Sequence, residues 1–121
     1  MEYKKTLVIG ASVKPERFSN QAIRLLRKNG YPVEAIGLRP GLVNDVEFKT
    51  GFPDLQDIHT VTMYVGPARQ PQYYDYLLNL KPKRVIFNPG TENDAFMEML
   101  ESMGAEVVAN CTLVMLNSSL F

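Results

Sequence analysis

The sequence predicts an α/β fold: a doubly wound, mostly parallel sheet of five or six strands with helices on both faces, in three layers. Three observations predict it. Short apolar runs rich in β-branched residues recur along the chain, each about as long as one buried strand. Segments of helical period lie between them, and that alternation builds a parallel sheet from βαβ units. Four of the strand ends run into glycine or proline turns of the kind that join a strand to a helix. Right-handed crossovers then make the architecture Rossmann-like.

Thr6-Leu7-Val8-Ile9 is the first strand, ending at Gly10. A helix follows from Ser19 to Asn29, with Ala22, Ile23, Leu25 and Leu26 as its apolar stripe and Gly30 as its stop. Val33 to Ile36 is the second strand. Residues 40–58 are the least regular; they predict a loop, a short strand near Val46–Phe48 and a helical turn. Thr60 to Val65 is the third clear strand, closed by Gly66-Pro67. Pro71 suits the first position of a helix carrying Tyr73, Tyr74, Leu77, Leu78 and Leu80. Arg84 to Phe87 is the fourth clear strand. Thr91 and Asp94 suit the start of a further helix as a shortened capping box. Its core face is Phe96, Met97, Leu100 and Met103, and Gly104 ends it. Glu106 to Ala109 is the last strand, and the apolar tail Leu113-Val114-Met115-Leu116 suits a packed strand or a dimer contact.

The 121 residues are enough for a single domain, 1–121, with its own core. Thirteen basic and thirteen acidic residues cancel, which argues against nucleic acid and leaves room for one local anion pocket. One cysteine, Cys111, excludes an internal disulfide framework. Met1-Glu2-Tyr3-Lys4-Lys5 leads straight into the first strand, with no apolar segment of signal or membrane length, so a cytoplasmic setting is expected.

Ligands of an open parallel sheet bind outside the carboxyl ends of its strands. The segments there are Gly10-Ala11-Ser12, Gly37-Leu38-Arg39-Pro40, Gly66-Pro67-Ala68 and Asn88-Pro89-Gly90-Thr91. Glycine lets backbone approach a phosphate, and the next helix start offers free N–H groups. The first turn, Gly10-Ala11-Ser12-Val13-Lys14-Pro15, lacks the second and third glycines of a dinucleotide fingerprint. The Ser12 hydroxyl and the cations of Lys14 and Arg17 suggest a wider loop that holds phosphate with side chains. The second strand ends in Gly37-Leu38-Arg39, where an NAD site carries a carboxylate. A cation there suits a phosphate on the adenosine ribose, as in coenzyme A or NADP.

Gly10-Ala11-Ser12, then Lys14-Pro15-Glu16-Arg17-Phe18-Ser19, then Leu26 and Gly30-Tyr31-Pro32-Val33, closely resemble the stand-alone CoA-binding proteins, whose pattern reads roughly G-A-S-x-x-P-x-R-x-S. That family is similar in fold to the CoA-binding domain of succinyl-CoA synthetase. The likeness is dense over the first third of the chain and looser beyond, at Gly104 to Val108 and Cys111. The family commonly ends its second strand in V-N-P and its fourth in Q-x-G; this chain has Leu38-Arg39-Pro40 and Asn88-Pro89-Gly90. The resemblance implies that Gly10, Ala11, Ser12 and Arg17 hold a pyrophosphate and that Arg39 faces the 3′-phosphate. Val65, Gly66 and Pro67 would flank adenine or pantetheine. Lys14, Phe18, Ser19, Leu38, Pro40, Asn88, Pro89 and Gly90 complete the candidate set.

No residue pattern points to catalysis or to a metal. His59 precedes the third clear strand and belongs at the opposite edge of the sheet. Cys111 lacks the partners of a zinc site, and Tyr73, Tyr74 and Tyr76 cannot all face one way on a helix. The expected function is therefore a non-catalytic binding or regulatory module whose ligand is a small nucleotide, coenzyme A or an acyl-CoA. Neither nucleic acid nor membrane is an expected partner; a homodimer or an unknown protein partner stays open. The alternatives are an NADP-dependent oxidoreductase-like domain, or the CoA-binding subunit of a multi-chain acyl-CoA ligase. The phosphorylated histidine that succinyl-CoA synthetase uses has no counterpart here.

Overall fold

The computed structural model describes residues 4–121; Met1 to Tyr3, read above as leading into the first strand, lie outside the described residues. Five parallel strands form the main sheet: β1 (Thr6–Ala11), β2 (Val33–Gly37), β5 (Thr60–Met63), β6 (Arg84–Phe87) and β7 (Glu106–Ala109). A separate antiparallel hairpin joins β3 (Gly41–Val43) to β4 (Val46–Phe48). The sheet order is β2-β1-β5-β6-β7. Register aligns Val33, Thr6, Thr60, Arg84 and Glu106 along one edge, so all five carboxyl ends open at the other. The chain leaves β1 toward β2 and later crosses back to β5 on the other flank of β1. Loops after β1 and β5 thus diverge, leaving the crevice in which doubly wound sheets bind ligands.

Alternation along each strand supplies two cores. Leu7, Ile9, Val61, Met63, Val85 and Phe87 face α2 (Tyr74–Leu80) and α3 (Asp94–Ser102) through Leu77, Phe96 and Leu100. Val8, Ala11 and Ile86 face the other way, onto Ile23 and Leu26 of α1 (Phe18–Lys28), the hairpin, and Met115 of α4 (Thr112–Asn117). Fully burying one such Leu, Ile or Phe contributes about 1.5–3 kcal/mol. The three layers and the parallel sheet are those the sequence predicts.

Four local expectations are corrected. Residues 40–58 hold no helical turn: Asn44, at φ +52°, closes a two-residue turn between β3 and β4, and positive φ at Gly51 and Asp57 interrupts the stretch from β4 to β5. Pro71 opens a single 3-10 turn, Pro71–Tyr73, and α2 begins only at Tyr74, because the chain is still bound into the turn after β5. Thr91 does not cap α3. Its hydroxyl donates to Asn88 O at 2.7 Å, and Asn93 caps instead, accepting from the Phe96 N–H at 3.2 Å. The apolar tail forms α4 rather than a strand.

A basic cleft at the carboxyl edge of the sheet

The turn after β1 is held by contacts within the fold. Gly10 takes φ +100°, and a Cβ there would stand 3.1 Å from the Tyr64 backbone, so β1 and the loop after β5 approach closely only with glycine. Ser12 Oγ accepts the Lys14 N–H at 3.1 Å, and Arg17 N donates to Lys14 O at 3.1 Å. Buried Asn20 donates from Nδ2 to Ser12 O at 2.9 Å, while Arg24 donates to Asn20 Oδ1 and to Pro15 O. The Ser12 oxygen is thus engaged in shaping the loop, and its O–H is what it can offer a ligand. At the start of α1, Arg17 makes no side-chain cap and the first turn holds no acidic residue, so its N–H groups and dipole face an anion unopposed.

The hairpin braces the same loop. A Cβ on Gly41 would fall 2.5 Å from Val13 Cγ1 and 2.6 Å from Phe48 Cζ, and one on Gly37 would fall 2.6 Å from Ala11 O. Phe48 is 2% exposed, lines the cleft and lies against Gly37 and Gly41. On the far flank, fully buried Gln70 donates from Nε2 to Val65 O (2.8 Å) and to Thr91 O (2.7 Å), tying the loop after β5 to that after β6.

Between these walls lies a cleft of about 670 Å³ across the ends of β2, β1, β5 and β6. It brings together Gly10, Ala11, Ser12, Lys14, Arg17, Phe18, Ser19, Leu38, Arg39, Pro40, Val65, Gly66, Pro89 and Gly90. Two expected residues lie apart. Asn88 is 3% exposed and spends its amide inward, donating to Thr62 Oγ1 and Met63 O and accepting from Thr112 N. Pro67 starts the 3-10 turn Pro67–Arg69 and does not line the cleft. Val13, Phe48, Tyr64, Arg69 and Thr91 line the cleft and were missed. Arg69 had a signal, a cation just beyond the Gly66-Pro67 turn that follows a strand; Phe48 had none, since only the hairpin carries it there.

Charge is distributed sharply. Among the described residues four cations, Lys14, Arg17, Arg39 and Arg69, line the cleft, and no carboxylate does. The other three arginines are engaged within the fold: Arg24 as above, Arg27 in a bidentate pair with Asp45 at 2.8–3.0 Å, and Arg84 with Thr60 and Phe121. Arg17, Arg39 and Arg69 are exposed and make no side-chain hydrogen bond or ion pair among the described residues. Tyr64, under the cleft, has its hydroxyl buried beside Thr62 and Thr112 without a well-formed hydrogen bond, and burial pushes its pKa up to about 12. His59 lies at the amino edge of β5, its Nδ1 2.7 Å from Thr60 Oγ1, and the described residues hold no cluster of metal ligands.

A doubly wound parallel sheet with a cationic cleft over its switch point defines a Rossmann-type domain. The chain belongs to the CoA-binding domain family, whose model matches residues 4–117. It is similar to an uncharacterised protein known from a crystal structure, at 40% identity and a TM-score of 0.96 over 100% of both chains. It is similar also to a hypothetical protein from Pyrococcus horikoshii, at 28% identity and a TM-score of 0.85 over 98% of this chain and 84% of that one. It shares its fold with the dinucleotide-forming acetyl-coenzyme A synthetase 1 of Ca. Korarchaeum cryptofilum, at 17% identity and a TM-score of 0.73, over 88% of this chain and 26% of that one. No curated protein matches. Among the described residues no helix is long and apolar enough to cross a membrane.

Proposed function

We propose that this chain binds coenzyme A or an acyl-CoA across the carboxyl ends of β2, β1, β5 and β6, as a single-domain, non-catalytic binding or regulatory module. The observation that carries the reading is the set of four cations lining one cleft that has no carboxylate in its lining among the described residues, its three arginines making no side-chain hydrogen bond or ion pair there. Family membership supplies the ligand class. In this reading the turn Gly10-Ala11-Ser12, the start of α1 at Phe18 and Ser19, and the side chains of Lys14 and Arg17 hold the pyrophosphate. Arg39, between exposed Leu38 and Pro40, meets the 3′-phosphate. The pantetheine arm then runs past Val65 and Gly66 toward Pro89 and Gly90. Exposed apolar Val13, Phe18 and Leu38 rim the β1–β2 side of the cleft, where the adenine ring would be covered.

A ligand that binds only the folded state raises its unfolding midpoint by mass action. The test is thermal unfolding with CoA, 3′-dephospho-CoA, NADP and NAD, each in excess. CoA is expected to raise the midpoint most, dephospho-CoA less and NAD not at all. Arg39→Ala should remove the difference between the first two. If NADP outranks CoA, the cleft reads a 2′-phosphate and the CoA reading fails.

A second reading makes the chain the CoA-binding subunit of a multi-chain ligase. The synthetase sharing this fold, in which the matched part is 26% of the chain, favours it. It predicts co-purification with a larger polypeptide that confers CoA-dependent turnover.

A further inference from the structure

We infer that Arg69 makes this cleft selective for CoA thioesters whose acyl group ends in a carboxylate; the inference rests on the CoA reading above. CoA carries three phosphates. The pyrophosphate is matched by Lys14, Arg17 and the open start of α1, and the 3′-phosphate by Arg39. Arg69 is a fourth cation with no phosphate assigned to it. It sits on the other side of the cleft from Arg39: neighbouring strands are about 4.8 Å apart, so the end of β5 is about 10 Å from that of β2.

Its turn is fixed. Arg69 N donates to Gly66 O at 3.0 Å, and the next residue, buried Gln70, clamps that turn to the loop after β6. The guanidinium is exposed, has no acidic neighbour in the cleft lining, and acts on Tyr73, whose hydroxyl burial pushes up while the Arg69 charge pulls it down. Around it the cleft offers Gly66, Gly90 and Thr91. Thr91 has its hydroxyl turned back to Asn88 O, and Gly66 and Gly90 have no side chain. Glu92, outside the lining, has its carboxylate on the Gly90 N–H at 2.7 Å; among the lining residues Arg69 is the one charged group at the end of the cleft that the thioester reaches. A neutral acyl chain leaves it hydrated, whereas a terminal carboxylate can take its two-pronged hydrogen bond.

The experiment measures affinities of CoA, valeryl-CoA and glutaryl-CoA, which differ at the acyl end alone, for the unaltered protein and for Arg69→Gln. The unaltered protein should prefer glutaryl-CoA over valeryl-CoA by about tenfold, the scale of one charge-assisted pair. Arg69→Gln should weaken glutaryl-CoA about tenfold more than it weakens CoA or valeryl-CoA, so that the preference is lost; Arg69→Lys should keep part of it. Equal binding of the two thioesters to the unaltered protein overturns the inference without any variant. Loss of all three ligands in parallel in Arg69→Gln puts Arg69 on a phosphate, which overturns the inference and leaves the CoA reading standing. If no CoA compound binds the unaltered protein, the CoA reading itself fails and the selectivity goes with it.

Discussion

Arginine does opposite jobs at the two edges of this sheet. At the amino edge Arg84 is 6% exposed, donates to Thr60 Oγ1 at 3.1 Å and Phe121 O at 2.6 Å, and lies 4.4 Å over the Phe121 ring. Burial lowers its pKa below the usual value for arginine. At the carboxyl edge Arg17, Arg39 and Arg69 are exposed and make no side-chain hydrogen bond or ion pair among the described residues. A buried guanidinium contributes through bonds and packing that the fold already contains. An exposed, unpaired one contributes little until an anion arrives. Mutations at the two edges should therefore separate stability from binding.

The largest effect should come from the amino edge. Arg84→Ala removes two hydrogen bonds and the stacking on Phe121, and should destabilise by about 3 kcal/mol in denaturant unfolding. The ligand affinity of the folded fraction should stay as it was. A loss under about 0.5 kcal/mol, the scale of a surface change, would erase the contrast between the edges.

Next comes pH, acting through Tyr64. An unperturbed tyrosine titrates near pH 10, and in the folded chain burial moves Tyr64 to about 12. The folded state therefore holds this proton more tightly than the unfolded one. The resulting stability is fully present below about pH 10 and is lost as pH rises toward 12; two units correspond to about 2–3 kcal/mol. Tyr64→Phe should flatten the alkaline fall seen in unfolding at pH 9 to 12. Tyr76, also raised to about 12 by burial, should keep part of it. At pH 7 the variant should lose little, because the hydroxyl it removes has no well-formed partner. An unchanged alkaline slope would show that Tyr64 does not titrate late.

Gln70→Ala should sit between the edges in kind as well as size. It deletes a fully buried amide that bonds Val65 O, Thr91 O and Asn93 Nδ2, and should cost about 2 kcal/mol. Because it holds the walls of the cleft, ligand affinity should fall too, measured by calorimetry on folded protein. Intact affinity would mean that the two loops need no clamp.

The fold was legible because its signals are local. Strands such as Arg84–Phe87 and Glu106–Ala109 are short apolar runs bounded by turn residues, and they fall where the pattern puts them. What stayed hidden depends on partners distant in sequence. Thr91 and Asn93 are both good caps, and only the bond from Thr91 to Asn88 O decides between them. Asn88 stands where a ligand contact is expected, yet Thr62, Met63 and Thr112 claim its amide, and nothing near it in the sequence announces them. Phe48 reaches the cleft because Gly37 and Gly41 leave room for it, a packing fact without sequence period. The β1 turn was read nearly whole, since glycine, serine and cations at those spacings act within a few residues of each other.

The smallest effect on stability should be the most telling. Arg17 is the N-terminal flank of α1, exposed, with no side-chain hydrogen bond among the described residues, whereas Arg24, within α1, bonds Asn20 and Pro15. Arg17→Ala should leave the unfolding midpoint without ligand unchanged, within about 0.5 kcal/mol. Under the CoA reading it should weaken CoA by about tenfold, the scale of one charge-assisted contact to phosphate. That loss should shrink at high salt, because screening weakens exposed charge interactions. Arg24→Ala should do the reverse at first hand: it frees Pro15 O and Asn20, loosens the loop and lowers the midpoint, with affinity falling only as the loop loses its shape. An arginine just before α1 and another seven residues on, within it, would then divide into one that uses the phosphate loop and one that makes it. If both variants lower the midpoint equally and neither changes CoA binding, the unpaired cations are surface charge and the division between the two edges does not hold.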